Sequence, residues 1–192
     1  LTLKNRLVMP AMGSGLGNPD GTPSDRSKAY YERRARGQAG MIIVELTAVH
    51  PTGLAGANSL RLDQDRFIPS FFELARCVQR HGTRIAVQLN HTGRHASRAV
   101  IGAEPVCPSP VPVSAAGDPP RELSTGEIDE LVGNYVAAAR RAREAGFDAV
   151  ELHGAHGYLI WQFLSPLCNQ RRDDYGGSTE RRVRFPVRII RA

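Results

Sequence analysis

Short apolar runs recur along the chain, and none of them alternates between apolar and polar residues as a half-exposed strand would. Continuous apolar runs of this length, rich in valine, isoleucine and leucine, are typical of parallel strands that are buried on both faces. The pattern therefore predicts four buried parallel strands, at Arg6–Ala11, Met41–Leu46, Arg84–Leu89 and Ala149–His153.

Helical stretches lie between these strands, and they carry recognisable start and stop signals. Ser24 is a suitable N-cap for the first helix, and Ser124 and Glu127 have the spacing of a capping box at the start of the third. Gly82 and Gly146 are placed to end the second and third helices. The signals predict helices at Asp25–Gln38, Ile68–His81 and Ser124–Ala145.

A fourth helix is predicted from Ser178 or Thr179 to the end of the chain, although Pro186 lies within it. Proline lacks a backbone donor, and its ring clashes with the preceding turn of a helix. We therefore expect a kink at Pro186 or a late start of this helix.

The elements follow one another as strand then helix, four times over, which implies crossovers onto a parallel sheet. One alternative is a doubly wound nucleotide-binding sheet, but Gly13, Gly15 and Gly17 do not complete a GxGxxG turn that opens a helix. The other is a (β/α)8 TIM barrel, for which ~250 residues are typical. We predict the α/β class, with residues 1–192 as the first four βα units of a single barrel domain and a fragment of a longer protein.

Composition and charge narrow the classes of function. The chain has 192 residues, 41% of them hydrophobic, and a formal net charge of +6. The basic residues are scattered and almost all arginine, so no nucleic-acid partner is expected. Without an apolar run of membrane-spanning length or a signal peptide, the sequence indicates a cytoplasmic protein with no membrane contact. The widely spaced cysteines are expected to be free thiols: Cys77, Cys107 and Cys168.

The carboxyl ends of the strands are the expected place for chemistry, because barrel loops vary there without disturbing the core. The first such end is small and rich in backbone, which lets main-chain groups approach a flat ring. The amide of Gln88, at the third strand end, both donates and accepts hydrogen bonds, which suits a heterocycle with neighbouring N–H and C=O groups. The equally open alternative is a core amide whose hydrogen bonds are satisfied within the protein. The candidate segments are Pro10–Gly13, Glu45–Thr47, Gln88–His91 and His153–Tyr158.

Two histidines and a tyrosine crowd the fourth strand end, where packing alone does not require them. Donors from His153 and His156 could converge on one oxygen and so polarise a carbonyl or stabilise an enolate. Tyr158 carries a hydroxyl that is protonated at neutral pH, which suits an acid rather than a base. The alternative is that these side chains only decorate the barrel mouth.

A metal site is a further alternative, because His91 and His95 follow the third strand. Zinc or iron sites use three protein ligands or more, commonly with a carboxylate or cysteine. No HExxH or comparable signature is present in the sequence, and we expect no metal.

A long specific string, HGAHGYL…QFLSP…N…R…D.YGGS, begins at His153. The chain here resembles the Old Yellow Enzyme family of FMN-dependent oxidoreductases, also called NADH:flavin oxidoreductases. Further matching segments run nearly the whole length in the family's order: LKNRLVMPAM, IIVELTAVHPTG, IAVQLNHTGR and ERRVRF.

The resemblance implies FMN over the barrel mouth, with NAD(P)H as reductant. It places the backbone of Pro10, Ala11 and Met12 near the flavin ring and the amide of Gln88 on its pyrimidine edge. It also implies a small-molecule substrate, an α,β-unsaturated carbonyl compound or an enoyl thioester, with hydride supplied from flavin N5. The implied catalytic residues are His153 and His156, which hold the carbonyl, and Tyr158, which supplies the proton.

Some positions depart from the family pattern. Gly13 replaces a threonine or cysteine near the flavin, Leu46 a small residue, Trp161 an asparagine or histidine and Arg172 a threonine. Longer family members carry a [4Fe–4S] centre, which would lie beyond this chain. Two alternative functions are left open: a flavin amine dehydrogenase or demethylase, and a non-catalytic half barrel. Assembly as a homo-oligomer is also left open.

Overall fold

The structure, a computed structural model, describes residues 1–117 and 119–192. Its strands are β1 Val8–Met9, β2 Met41–Ala48, β3 Leu60–Arg61, β4 Arg84–Asn90, β5 Val106–Cys107, β6 Arg121–Glu122 and β7 Ala149–Leu152. Its helices are α1 Asp25–Arg36, α2 Ile68–Gln79, α3 Arg98–Ile101, α4 Thr125–Glu144, α5 Leu159–Leu164, α6 Thr179–Arg182 and α7 Arg184–Arg191. Short 3-10 turns lie at Pro51–Gly53, Asp65–Phe67 and Gly93–His95.

The main sheet has the order β1-β2-β4-β7, and all neighbouring strands run parallel. Short β3 pairs with the end of β2, while β5 and β6 form a separate parallel pair. The four predicted strands and their parallel arrangement are confirmed, with different ends. The first is cut to Val8–Met9, just before Pro10, which cannot donate a ladder hydrogen bond. The second extends to Ala48, because β3 gives its last residues a partner.

The predicted helix caps are also confirmed. The Ser24 side chain accepts from the backbone N–H of Ser27, and Ser124 and Glu127 form a reciprocal capping box. The two helices that were expected to end at glycines are followed by Gly82 and Gly146, both with positive φ. Their last turns fray a little earlier than predicted, so α2 ends at Gln79 and α4 at Glu144.

The last helical segment is divided at Val183 into α6 and α7. Pro186 is the third residue of α7, within the first turn, where a backbone N–H has no partner inside the helix. The proline therefore costs no hydrogen bond there. The segment starts at Thr179 with Ser178 as its N-cap, where it was predicted, so the late start is not observed; instead it is interrupted at Val183, three residues before Pro186.

The longer helices, α1, α2, α4 and α7, form one layer on one face of the sheet. Along this layer α1 packs against α2, α2 against α4, and α4 against α7. The core lies between this layer and the sheet, where Ile42 and Val44 of β2 and Ile85, Val87 and Leu89 of β4 are all buried. A doubly wound sheet would carry helices on both faces. A single helical layer is instead the architecture of one half of a (β/α)8 barrel.

The other face of the sheet, here called the concave face, carries the alternate residues of the strands. Because successive side chains of a strand point to opposite faces, Gln88 of β4 and Glu151 of β7 lie on this face. None of the helices in the described ranges is both long and apolar enough to cross a membrane. The three cysteines are free thiols in the structure.

Candidate functional site

The carboxyl ends of the four main strands lie along one edge of the sheet, because the strands run parallel. Three aromatic side chains from the loop after β7 meet at this edge. The ring of His153 lies 5.0 Å from that of His156 and 5.0 Å from that of Tyr158, measured between ring centroids. His95, from the loop after β4, packs edge-on against Tyr158 at 5.9 Å. The structure thus brings the three predicted residues together and adds a fourth ring.

The hydrogen bonds of His153 assign its tautomer. The backbone N–H of Ala155 donates to Nδ1 of His153 over 3.3 Å, so in the neutral ring the proton is on Nε2. Nε2 of His153 lies 3.2 Å from Nδ1 of His156 and donates to it. Burial first, and then the charge that His156 would carry, lower the pKa of His153, while Glu151 opposes them. His153 is therefore a neutral donor, and His156 is its acceptor.

The backbone at His156 lies in the left-handed region, with φ of 55°. Non-glycine residues adopt this conformation seldom, and where they do the surrounding structure holds them there. His156 is exposed, whereas His153 is buried. The turn therefore presents the second imidazole to solvent directly above the first.

A buried glutamine joins the two loops that carry these rings. Gln162 of α5 has no exposed surface, and its Nε2 donates to the carbonyl oxygens of Thr92 and Gly157, over 3.1 and 2.6 Å. Its Oε1 accepts from the backbone N–H of Arg94 over 3.3 Å. Gly93 has φ of 61°, and a Cβ there would lie 2.3 Å from Oε1 of Gln162. We call this arrangement the Gln162 clamp; it fixes the β4 loop against the β7 loop.

His91 belongs to the scaffold. It is fully buried, its Nδ1 accepts from the backbone N–H of Gly93 over 3.0 Å, and its Nε2 lies 3.1 Å from the hydroxyl of Thr52. That hydroxyl lies 2.7 Å from Nδ1 of His50. Both ring nitrogens of His91 therefore have protein partners, and neither is available to a metal. Within the described residues, no group of three or more histidine, cysteine or acidic side chains could hold a metal ion.

We expect acid to weaken the fold through His91. Burial lowers the pKa of His91 to about 3, whereas an unfolded histidine titrates near its usual value of 6.5. The unfolded state thus binds a proton that the folded state does not, and the free energy of unfolding falls by up to about 1.4 kcal/mol per pH unit as the pH drops from 6.5 towards 3. A His91→Gln variant should lose this part of the slope, measured by urea unfolding between about pH 7 and about pH 5. Equal slopes for the two proteins would contradict the assignment.

Gln88 lies inside β4, not at its end as the sequence suggested, because the strand continues to Asn90. It is the register partner of Glu151 in β7, and its Nε2 donates to Oε1 of Glu151 over 2.6 Å. Both side chains are half-buried on the concave face. Glu151 was not predicted to belong to the site, although a lone acidic residue in the apolar run AVELH is a signal that could have identified it.

The segment after β1 lies at the same sheet edge. Pro10 and Met12 are exposed and Ala11 is half-buried. Leu46, at the end of β2, lies beside Gly13, where an added Cβ would be 3.5 Å from Cδ2 of Leu46. The leucine and the glycine, which both depart from the family pattern, are therefore neighbours in space.

Glu45 anchors this segment from below. The β2 strand holds one extra residue between Val44 and Thr47, and this bulge contains Glu45. The buried carboxylate accepts from the backbone N–H of Ser14 over 2.7 Å and from the hydroxyl of Tyr31 over 3.3 Å. Of the predicted strand-end segments, Glu45–Thr47 thus contributes support for the first loop.

The last part of the family string is also structural. Arg171 is buried and donates to two backbone carbonyls and to Asp173. Asn169 donates from Nδ2 to the carbonyl oxygens of Phe163 and Tyr175, over 2.8 and 2.6 Å. Arg172 is exposed. Arg171 and Asn169 thus shape the loop after α5.

Comparison with known proteins agrees with this geometry. A family model described as NADH:flavin oxidoreductase / NADH oxidase family matches residues 1–192. The NADH oxidase of Thermoanaerobacter brockii is 51% identical over 193 residues, which cover 100% of this chain and 30% of that protein. The NADPH dehydrogenase of Geobacillus sp. (strain WCH70) is 44% identical over 193 residues, which cover 100% of this chain and 56% of that protein.

Among solved structures, morphinone reductase superposes with a TM-score of 0.94 at 35% sequence identity, over 100% of this chain and 55% of that one. The chain spans about half or less of the length of these relatives. The match of sequence and fold confirms the (β/α)8 barrel and the resemblance noted from the motifs. The chain belongs to the NADH:flavin oxidoreductase / NADH oxidase family, the Old Yellow Enzyme family.

Proposed function

We propose that this chain contributes the substrate-binding rings and part of the flavin site of an oxidoreductase that reduces C=C bonds conjugated to a carbonyl. The observation that carries the proposal is the cluster of His153, His156 and Tyr158 at the end of β7, which two strands separate from β1 and the segment that follows it. Relatives named NADH oxidase, NADPH dehydrogenase and morphinone reductase support a reductase whose electron donor is a nicotinamide cofactor.

The residues present fit the ring of FMN, the cofactor of this family. The amide of Gln88 keeps its Oε1 and one N–H free of other protein groups in the described ranges, and it lies on the concave face. A flavin pyrimidine edge presents C=O and N–H groups side by side, which such an amide can pair with. Pro10, Ala11 and Met12 would supply backbone near the ring. When bound, FMN supplies the hydride that it has taken from NAD(P)H.

The two histidines hold the substrate oxygen in this proposal. His153 donates through Nε2, and at present His156 is its acceptor. A carbonyl oxygen that enters the site takes the place of His156 as acceptor, and the exposed ring of His156 turns to donate to the same oxygen. Two donors on one oxygen draw electrons away from the conjugated alkene and make its β-carbon electrophilic.

Tyr158 completes the reduction by giving a proton to the α-carbon. Its ring is held between His153 and His95, and no protein group in residues 1–117 or 119–192 is hydrogen-bonded to its hydroxyl. A phenol hydroxyl in this position can donate its proton to the substrate and take another from solvent after each turnover.

Anaerobic half-reactions test the proposal. The complete protein is expected to bind one FMN per chain, to be bleached by NADH or NADPH, and to regain its colour when a cyclic α,β-unsaturated ketone is added. Colour that returns with the ketone but not with a saturated ketone supports the proposal. Reduction of the flavin by a tertiary amine, without reoxidation by the enone, would favour the amine dehydrogenase instead. Failure to bind FMN would favour the non-catalytic interpretation.

A further inference from the structure

A charged residue that neither the motifs nor the proposed chemistry use lies beside the amide of Gln88. Glu151 of β7 is the register partner of Gln88, so the two side chains emerge side by side on the concave face. Nε2 of Gln88 donates to Oε1 of Glu151 over 2.6 Å, a short N–H···O hydrogen bond. Within the described residues, neither side chain makes another hydrogen bond.

The chemistry of this pair leaves only one orientation for the amide. A carboxylate accepts hydrogen bonds and does not donate them, so the NH2 group of Gln88 must face it. If the amide were flipped, two oxygen atoms would face each other at hydrogen-bond distance, an arrangement with repulsion and no bond. The flip of a glutamine that stands alone is decided only weakly, whereas here the neighbour decides it.

We infer that Glu151 is a positioning residue that sets the orientation of Gln88 towards the flavin and places negative charge beside the amide that pairs with the flavin's pyrimidine edge. The inference rests on the proposed function, since it assumes that Gln88 pairs with this edge. With NH2 turned to Glu151, the amide presents its oxygen and its second N–H as a fixed acceptor and donor pair.

Two consequences follow for the flavin. Without the Glu151 carboxylate, the amide of Gln88 has no fixed orientation before FMN binds. Part of the binding free energy is then spent on ordering this amide, which weakens FMN binding. Loss of the negative charge favours the electron-rich reduced flavin over the oxidised form, because charge near the ring tunes the cofactor. Removing the charge therefore raises the midpoint potential.

Glu151→Gln is the nearest test, because it keeps the size of the side chain and removes the charge. The new amide can accept from Gln88 or donate to it, so both orientations of Gln88 become possible. In the complete protein we expect the FMN dissociation constant to rise about 2-fold to 10-fold, as one net hydrogen bond would predict. We also expect the midpoint potential, measured by spectroelectrochemistry, to become more positive. Glu144→Gln on the exposed side of α4 is the matched control.

A double variant tests whether Glu151 acts through Gln88. In a Gln88→Leu background the change Glu151→Gln should leave the FMN dissociation constant unaltered, because no amide remains to be oriented. The same fold-change in both backgrounds would overturn the inference, as would a folded Glu151→Gln protein with unchanged affinity and potential. If the unaltered protein binds no FMN, the proposed function itself fails, which is a separate result.

Discussion

Replacing Tyr158 by phenylalanine is expected to slow reoxidation of the reduced flavin by an activated alkene by about 10²-fold to 10⁴-fold, the usual contribution of a general acid. The ring of Tyr158 should keep its place, because it is held by edge-on contacts with His153 and His95 that need no hydroxyl. Reduction of the flavin by NAD(P)H uses no proton from this side chain and should continue at its ordinary rate. Stopped-flow absorbance of the two half-reactions measures both effects.

Tyr30→Phe is a suitable control for this experiment. Tyr30 lies on α1, packed against Tyr31 and Arg34, and its loss of a hydroxyl should change neither half-reaction. Two results would contradict the role proposed for Tyr158. One is an unchanged rate with the alkene, and the other is an equal loss in both half-reactions, which would indicate damage to the flavin site.

The second large effect is expected from Gln162→Leu. The substitution leaves the carbonyl oxygens of Thr92 and Gly157 and the N–H of Arg94 without the partners that the clamp provides. An unpaired buried group such as the Thr92 carbonyl costs about 1–3 kcal/mol, and the half-buried groups of Gly157 and Arg94 cost less, so the free energy of unfolding should fall by about 1–3 kcal/mol or more. The alkene half-reaction should slow as well, since the loop that bears Tyr158 loses its attachment to the β4 loop.

Gln170→Leu provides the matched comparison, because Gln170 is exposed and its side chain has no hydrogen-bond partner in the part of the chain that the structure describes. Urea unfolding and the alkene half-reaction should both be unaffected by this change. If Gln162→Leu proved as stable and as active as the control, the clamp would have no part in positioning the rings.

Sequence periodicity and capping signals were sufficient for the long elements of this fold. Strong local signals, such as the capping box at Ser124, act within a few residues and can be recognised without the tertiary structure. The pattern did not reveal α5, Leu159–Leu164, because six residues are too few to show a helical period. Nor did it reveal β3, Leu60–Arg61, whose pairing depends on the end of a distant strand.

The candidate site divides in the same way. The types of residue and their place after a strand singled out His153, His156 and Tyr158, and the fold brings their rings together. The sequence alone could not distinguish histidines and carboxylates that contact a ligand from those that form hydrogen bonds within the scaffold. His91 and Glu45 also stand at strand ends, but their partners come from other loops and are visible only in three dimensions.

The Gln162 clamp has a consequence for the exchange of loops between related enzymes. Its three hydrogen bonds connect α5 to the loop after β4 and to the turn after β7, and Gly93 leaves the space that the glutamine fills. A chimaera that receives the β4 loop of a relative without that relative's α5 would join two surfaces that were not selected together. To transfer a substrate preference, both loops and α5 should therefore be exchanged together.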